Sequence, residues 1–309
     1  MKSFSYIIKF NIPLIVLFIF ILNIAEAQSE VGIPNSKSIK LYSPAVKDSF
    51  SISIAFPENY SSDNKDYPVI YLTDPFFIFG STVESARALA YDGKMPEAII
   101  VGIGYTGPQK FRRIMQLRTR DYTPQDRFVL PNGVEPKWAK EMEMGKAKEF
   151  LQFIRNELFT YLHDNYRVTD HRTYIGFSGG AYFGHYILFH EPGLFNQYLL
   201  SSPGYWYEAE RKFEGNLFEY EEKYAANNDS LNARIFISVG ENESHYMVGG
   251  MVKMVQILKS RNYEGLQVHS HIFSDQSHYS VFPVAVNNGL RILFNNYDAQ
   301  ATGGLNEIN

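Results

Sequence analysis

The first residues with chemistry in them are Gly176-Phe177-Ser178-Gly179-Gly180, a G-x-S-x-G motif. A strand-forming run, Thr173 to Phe177, enters it. A helix-forming run, Gly179 to His190, leaves it and is stopped by Pro192 and Gly193. In that setting the serine sits on a sharp strand-to-helix turn, where only small neighbours fit. The Gly179 N–H then lies beside the hydroxyl, at a helix start that favours negative charge. The plainer reading is a tightly packed βα turn or an anion-binding loop. A P-loop does not fit, because no Gly-Lys-Ser/Thr follows.

A serine hydroxyl needs a base to become a nucleophile. After a motif of this kind the partners follow in the order acid, then histidine. Of the eight histidines, His163 and His171 precede the serine. His185 and His190 lie on the helix that follows it and cannot reach back. His278 lies in a polar loop, Asp275 to Ser280, between the last predicted strand and the last predicted helix, and is the expected base. His269 and His271 share a strand face. They read as a solvent-facing edge rather than a metal pair, since no third ligand has suitable spacing.

The acid is expected in the loop Gly240 to His245, which offers Glu241 and Glu243, with Glu243 preferred. Its task is to orient the imidazole and stabilise its charged form. A Ser-His dyad without an acid remains an alternative. A second oxyanion donor is expected from Thr73-Asp74-Pro75-Phe76-Phe77. Pro75 has no N–H, so the backbone of Phe76 or Asp74 must serve. Otherwise this segment is an ordinary turn preset by proline.

These residues need a scaffold, and strand alternating with helix supplies one. Phe50 to Ala55 alternates with period two. Val69 to Leu72 and Ala98 to Ile103 are short unbroken apolar runs, which suits strands buried on both faces. Lys146 to Tyr166 predicts a helix on the stripe Phe150, Ile154, Leu158, Leu162. Further strands are predicted at Gln197 to Ser201, Arg234 to Val239 and Leu266 to Phe273, and helices at Val248 to Ser260 and Val281 to Phe294. The pattern predicts an α/β fold with a mostly parallel sheet and helices on both faces. Tyr105 to Gly145 and Tyr205 to Ser230 read as irregular insertions capping the carboxyl edge of the sheet, where ligands bind.

The chain has 309 residues, no cysteine, and 29 basic against 33 acidic residues. That excludes a disulfide scaffold and a thiolate metal site. No basic footprint for nucleic acid is present. Met1 to Ala27 reads as a secretory signal peptide: Lys2 and Lys9 lead an apolar run from Ile12 to Leu22, and Ala25-Glu26-Ala27 fits the cleavage pattern. The expectation is an exported bacterial protein, periplasmic or secreted, with no stable membrane anchor after cleavage. The expected organisation is a lead-in over 28–48, one catalytic domain over 49–300 and a tail over 301–309.

With these residues in view, the chain resembles the esterase family of α/β-hydrolases that contains esterase D and the enterochelin (siderophore) esterases. The resemblance runs from about Phe50 to Phe294. It rests on Tyr67-Pro68-Val69-Ile70-Tyr71-Leu72-Thr73-Asp74, on Val101-Gly102-Ile103-Gly104-Tyr105 followed by Arg118-Thr119-Arg120-Asp121-Tyr122-Thr123-Pro124, and on Ser202-Pro203-Gly204-Tyr205-Trp206. It implies an α/β-hydrolase fold and hydrolysis of carboxylic esters through Ser178, Glu243 and His278, with no metal or organic cofactor. The chain departs from the family pattern at Pro75 and Gly204, where glycine and serine are usual, and in using glutamate as the acid.

Tyr105, Tyr205, Trp206 and Tyr207 fall in the predicted caps, either as a platform for a sugar ring or aromatic acyl group or as cap packing. Arg118 and Arg120, beside Asp121, suit an anionic substrate or, preferably, an internal ion pair that fixes the loop. The acidic run Glu208 to Glu222 reads as a solvated helix face. The expected substrate is a small-molecule or glycan-linked ester, such as an acylated sugar or a siderophore-type lactone. Transfer of the acyl group to an alcohol, and a catalytically silent carbohydrate- or siderophore-binding protein, are the alternatives.

Overall fold

The computed structural model describes residues 32–126, 135, 137, 139–205 and 217–295. The signal-like stretch, Trp206, Tyr207 and the tail over 301–309 lie outside them. The chain divides into a unit Met1–Pro34, of which only residues 32–34 are described, and a unit Asn35–Asn309 that carries everything below.

Eight strands form one sheet: β1 (Ser36–Ser43), β2 (Asp48–Ala55), β3 (Tyr67–Thr73), β4 (Ile99–Tyr105), β5 (Val168–Phe177), β6 (Gln197–Ser201), β7 (Ser230–Gly240) and β8 (Glu264–Phe273). Their spatial order is β1-β2-β4-β3-β5-β6-β7-β8. β2 runs antiparallel to both neighbours and the rest are parallel. β3 to β6 are buried almost throughout their site ends, which is why they read as apolar runs without alternation.

The helices are α1 (Pro75–Tyr91), α2 (Phe111–Tyr122), α3 (147–165), α4 (Gly179–His190), α5 (Leu217–Ala225), α6 (His245–Arg261) and α7 (Val281–Leu293). They cover both faces of the sheet. Adjacent residues on a strand point to opposite faces. A Cβ on Gly184 of α4 would meet Leu200, whereas one on Gly289 of α7 would meet Leu199, so α4 and α7 lie on opposite sides. α1 packs with α7, and α2 and α5 pack with α4.

Helix α3 contains a π-turn, Phe153–Leu158, between α-helical runs Ala147–Gln152 and Phe159–Asn165. The four-residue repeat of its stripe explains this. At 3.6 residues per turn such a repeat drifts by about 40° per step. A wider turn takes up the drift. Phe150, Ile154, Leu158 and Leu162 are accordingly all buried.

Four elements differ from the sequence expectation, the first being α1, which the sequence reading did not place after the Thr73–Phe77 segment. The lead-in over 28–48 contains β1, paired along its whole length with β2. The segment read as irregular from Tyr105 holds α2. The acidic run read as solvated reaches into α5, where Glu221 is only 1% exposed. Arg261 Nε and Nη2 each donate to Glu221 at 2.9 Å, and Tyr263 Oη does so at the same distance. Those three donors are what allow a carboxylate to sit inside.

Candidate active site

Ser178 stands between β5 and α4 with φ 56° and ψ −117°, a conformation unusual for a residue with a Cβ. The surroundings hold it there. Its N–H donates to Ser201 O at 2.9 Å, and its carbonyl accepts from Tyr182 N–H at 3.0 Å. A Cβ on Gly176 would lie 2.4 Å from Gly180 O, and one on Gly180 would lie 2.3 Å from Thr73 Oγ1. Both outer glycines of the motif are thus required by close approach, one within the turn and one against the end of β3.

The turn presents its hydroxyl to a histidine. His278 Nε2 lies 3.1 Å from Ser178 Oγ, and His278 Nδ1 lies 2.7 Å from Glu243 Oε2. Since the carboxylate only accepts, Nδ1 carries the proton and Nε2 faces the serine as an acceptor. Glu243 Oε1 takes the Gly240 N–H at 2.8 Å and the Ser202 hydroxyl at 2.6 Å. Burial alone would raise the Glu243 carboxyl. Hydrogen bonds from His278, Ser202 and Gly240 outweigh it and hold the group below its ordinary value.

The two loops that bring acid and base together are stitched. Asn242 N–H donates to Gln276 O at 2.9 Å, and Asp275 N–H donates to Glu241 Oε2 at 3.1 Å. Glu241 therefore braces the histidine loop while Glu243 meets the histidine.

Opposite the serine, Asp74 opens α1 in the left-handed region, φ 56° and ψ 46°, with Pro75 at the first helical position. The Asp74 carboxylate does not cap that helix. It accepts from Arg118 Nε at 3.0 Å, Arg118 Nη2 at 2.7 Å and Tyr122 Oη at 3.0 Å. Arg118 thus forms an internal ion pair with Asp74, while Arg120 pairs with Asp121 and Asp48. The Arg118 guanidinium also lies against Gly179, 3.0 Å from where a Cβ would be. The first N–H groups of a helix have no carbonyl behind them. Gly179, at the start of α4, and Phe76, one residue after Pro75, are such positions. Pro75 fits because Gly102 and Gly104 of β4 leave room for its ring, their absent Cβ atoms falling 2.8 Å from it.

Two of the aromatic residues expected to form a platform are turned inward. Tyr205 is 1% exposed: its hydroxyl meets His185 Nε2 at 3.0 Å, and its Cβ fills the space left by Gly250. Tyr105 is buried with its ring against Phe50, although it also forms part of the wall of a recess beside Asp74, Phe76 and Gln109. Trp206 falls outside the described residues. The exposed aromatic surface beside the site comes instead from Phe76, Phe111 and Tyr279, each more than half exposed. Phe77 joins them, with ring centroids 5.1, 6.3 and 6.4 Å away, and Tyr279 touches His278 at 5.3 Å. Sequence reasoning missed Phe77, Phe111 and Tyr279 because three separate segments contribute them. It also missed Ser202, although that residue stood in a quoted motif.

His269 and His271 lie on β8, the last strand of the sheet, His271 exposed, as the edge reading expected. No group of three metal-ligating side chains occurs among the described residues. No described helix is long and apolar enough to cross a membrane.

The eight-stranded sheet, with a strained serine at a strand-to-helix turn and a carboxylate and histidine delivered by the loops after its last two strands, defines a serine hydrolase of the α/β-hydrolase fold. The chain belongs to the esterase family: a model of that family, described as "Putative esterase", matches residues 43–288. Among curated proteins it is 31% identical over 237 residues to the ferri-bacillibactin esterase BesA of Bacillus subtilis, covering 73% of this chain and 78% of that one. Among solved structures it is similar to the BES protein from Bacillus cereus, at 26% identity and a TM-score of 0.73, covering 86% of this chain and 97% of that one. The IroE-like serine hydrolase from Shewanella oneidensis aligns at 25% identity and a TM-score of 0.74, covering 85% and 81%. The chain is a carboxylic-ester hydrolase of the serine class.

Proposed function

We propose that the chain hydrolyses the ester bonds of a siderophore-type lactone, with Ser178 as nucleophile, His278 as general base and acid, and Glu243 as the residue that holds His278. The observation that carries the reading is the unbroken line from Ser178 Oγ through His278 Nε2, at 3.1 Å, and His278 Nδ1 to Glu243 Oε2, at 2.7 Å.

Ser178 Oγ bonds to the ester carbonyl carbon as its proton passes to His278 Nε2. The carbonyl electrons move onto oxygen, where the Gly179 and Phe76 N–H groups receive the charge. Losing one such donor costs roughly 10²- to 10³-fold in rate. The tetrahedral species collapses by breaking the bond to the alcohol oxygen, which takes the proton from His278. Water repeats the sequence on the acyl-enzyme and releases the carboxylic acid.

Two observations support the substrate class. The relative above is named a ferri-bacillibactin esterase, and a second, 29% identical over 167 residues, is named a siderophore enterobactin esterase. The exposed rings of Phe76, Phe111 and Tyr279 suit a substrate that carries flat aromatic groups.

The test is intact-mass spectrometry after fluorophosphonate treatment, followed by turnover of a catecholate trilactone, an acylated sugar and a simple aryl ester. One adduct is expected on the wild type and none on Ser178→Ala, with the trilactone cleaved at the highest kcat/KM. Absence of the adduct from folded wild type overturns the assignment of Ser178. Preference for the acylated sugar overturns the substrate.

A further inference from the structure

At the acid end of the relay stands a hydroxyl that hydrolysis does not by itself require. Ser202 follows β6, is fully buried and has φ 50°. Its N–H donates to Ser238 O at 2.7 Å, which ties it to the end of β7. Its Oγ lies 2.6 Å from Glu243 Oε1. An ionised carboxylate can only accept, so the Ser202 proton points at Glu243. A left-handed backbone favours glycine, so the turn alone gives no reason for a side chain at this position.

We propose that Ser202 is a positioning residue for ester hydrolysis: its hydroxyl fixes the Glu243 carboxylate and sets how strongly that carboxylate holds the His278 imidazolium. The inference rests on the assignment of Ser178, His278 and Glu243 made above. The geometry gives each carboxylate oxygen its own work. Oε2 faces His278 alone, while Oε1 takes Ser202 Oγ–H and Gly240 N–H from two different strand ends. With the Glu243 side chain 1% exposed, water cannot take over either bond. The Ser202 hydrogen bond draws negative charge toward Oε1, so less of it faces the imidazole.

Few other charges bear on the pair. Arg118 is paired with Asp74 beside Gly179. Glu241 and Asp275 are joined across the two loops. His245, stacked on Tyr246 with centroids 3.8 Å apart, opens α6 two residues after Glu243. The rings of Phe177 and Tyr279 flank His278.

The test uses Ser202→Ala and Ser202→Gly in the full chain, with kcat and KM for a simple aryl ester measured across pH and a thermal melt of each variant. Both variants should lose about ten-fold in kcat with KM little changed, the scale of one hydrogen bond to a charged group. In both, the acidic limb of kcat/KM should move to higher pH. Without the hydroxyl, more charge faces His278, the imidazolium is better held, and the base is lost to protonation earlier as pH falls. Ser202→Gly accepts the backbone angle and should melt no lower than Ser202→Ala, so a fold defect cannot imitate the result. Wild-type pH profiles in both variants overturn the proposal, as does a loss of activity that follows melting temperature with the limb unmoved. Fluorophosphonate labelling runs alongside: an unlabelled wild type overturns the triad and this inference together, whereas a labelled wild type with unmoved limbs overturns only the role of Ser202.

Discussion

Glu241 and Glu243 share a loop and a charge but not an environment. Glu243 is buried and bonded to His278, whereas Glu241 is exposed and accepts the Asp275 N–H. Changing each to glutamine separates the two jobs. In Glu243→Gln the amide can offer its NH2 to Nδ1, which moves the imidazole proton to Nε2. A donor then faces Ser178 where a base is needed. Initial rates on an aryl ester near neutral pH should fall by roughly 10²- to 10⁴-fold, the usual scale of general-base catalysis. Glu241→Gln keeps an acceptor for the Asp275 N–H and should stay within a few-fold of wild type. The reverse ranking would move the triad acid to Glu241. Spacing alone left the two glutamates as alternatives, because separating them needs the Gly240 turn and its contact with Gln276, which are long-range facts.

At the scale of elements, α6 contains neighbouring glycines in opposite situations. A Cβ on Gly249 would meet nothing within 4 Å, whereas one on Gly250 would fall 2.4 Å from Tyr205 Cβ. Gly249→Ala should stabilise by about 0.5–1 kcal/mol, through helix propensity and a less free unfolded chain. Gly250→Ala should destabilise by roughly 1–3 kcal/mol, because it pushes Tyr205 off the helix. Denaturant titration of both variants checks the signs, and equal effects would refute the packing of Tyr205 against α6. α4 and β6 were legible to the residue, because Pro192, Gly193 and Pro203 punctuate unbroken patterns. α1 was missed although Asp74-Pro75 is a helix-start signal and Ile78, Phe79, Thr82, Val83 and Ala86 follow at helical spacing. Its aromatic and β-branched residues masked the period. α2 buries Ile114 and Tyr122 at helical spacing, but charged residues dominate the run and two of them, Arg120 and Asp121, are buried as well, so its apolar face is sparse in the sequence. β1 is polar along much of its length, as a strand with one free edge can be.

For the whole molecule, buried His185 ties stability to pH. Its Nδ1 is 3.1 Å from Ala181 O, a carbonyl that can only accept, so Nδ1 donates and Nε2 accepts from Tyr205 Oη. Burial pushes this histidine down to about 4 from an ordinary 6.5. A lowered folded value means that the folded state favours the neutral ring. The stabilisation is therefore complete above pH 6.5 and is lost as pH falls from there toward 4. The loss amounts to about 3 kcal/mol. Melting temperature measured between pH 7 and 4 should fall more steeply in wild type than in His185→Gln, which cannot take up a proton. Parallel slopes would remove His185 from the account.

The order of the sheet has one more consequence. An open sheet has two outer strands, each with a row of unpaired backbone groups that another chain could extend. Here those strands are β1 and β8. β1 carries exposed Lys37 and Lys40, and β8 exposed Glu264, Gln267 and His271. Stacking β1 on its own copy would bring lysines of two chains together, and stacking β8 on its own copy would strip water from its polar side chains. The catalytic strands at the centre are the most apolar in the chain. The polar side chains of the two outer strands disfavour such edge-to-edge growth.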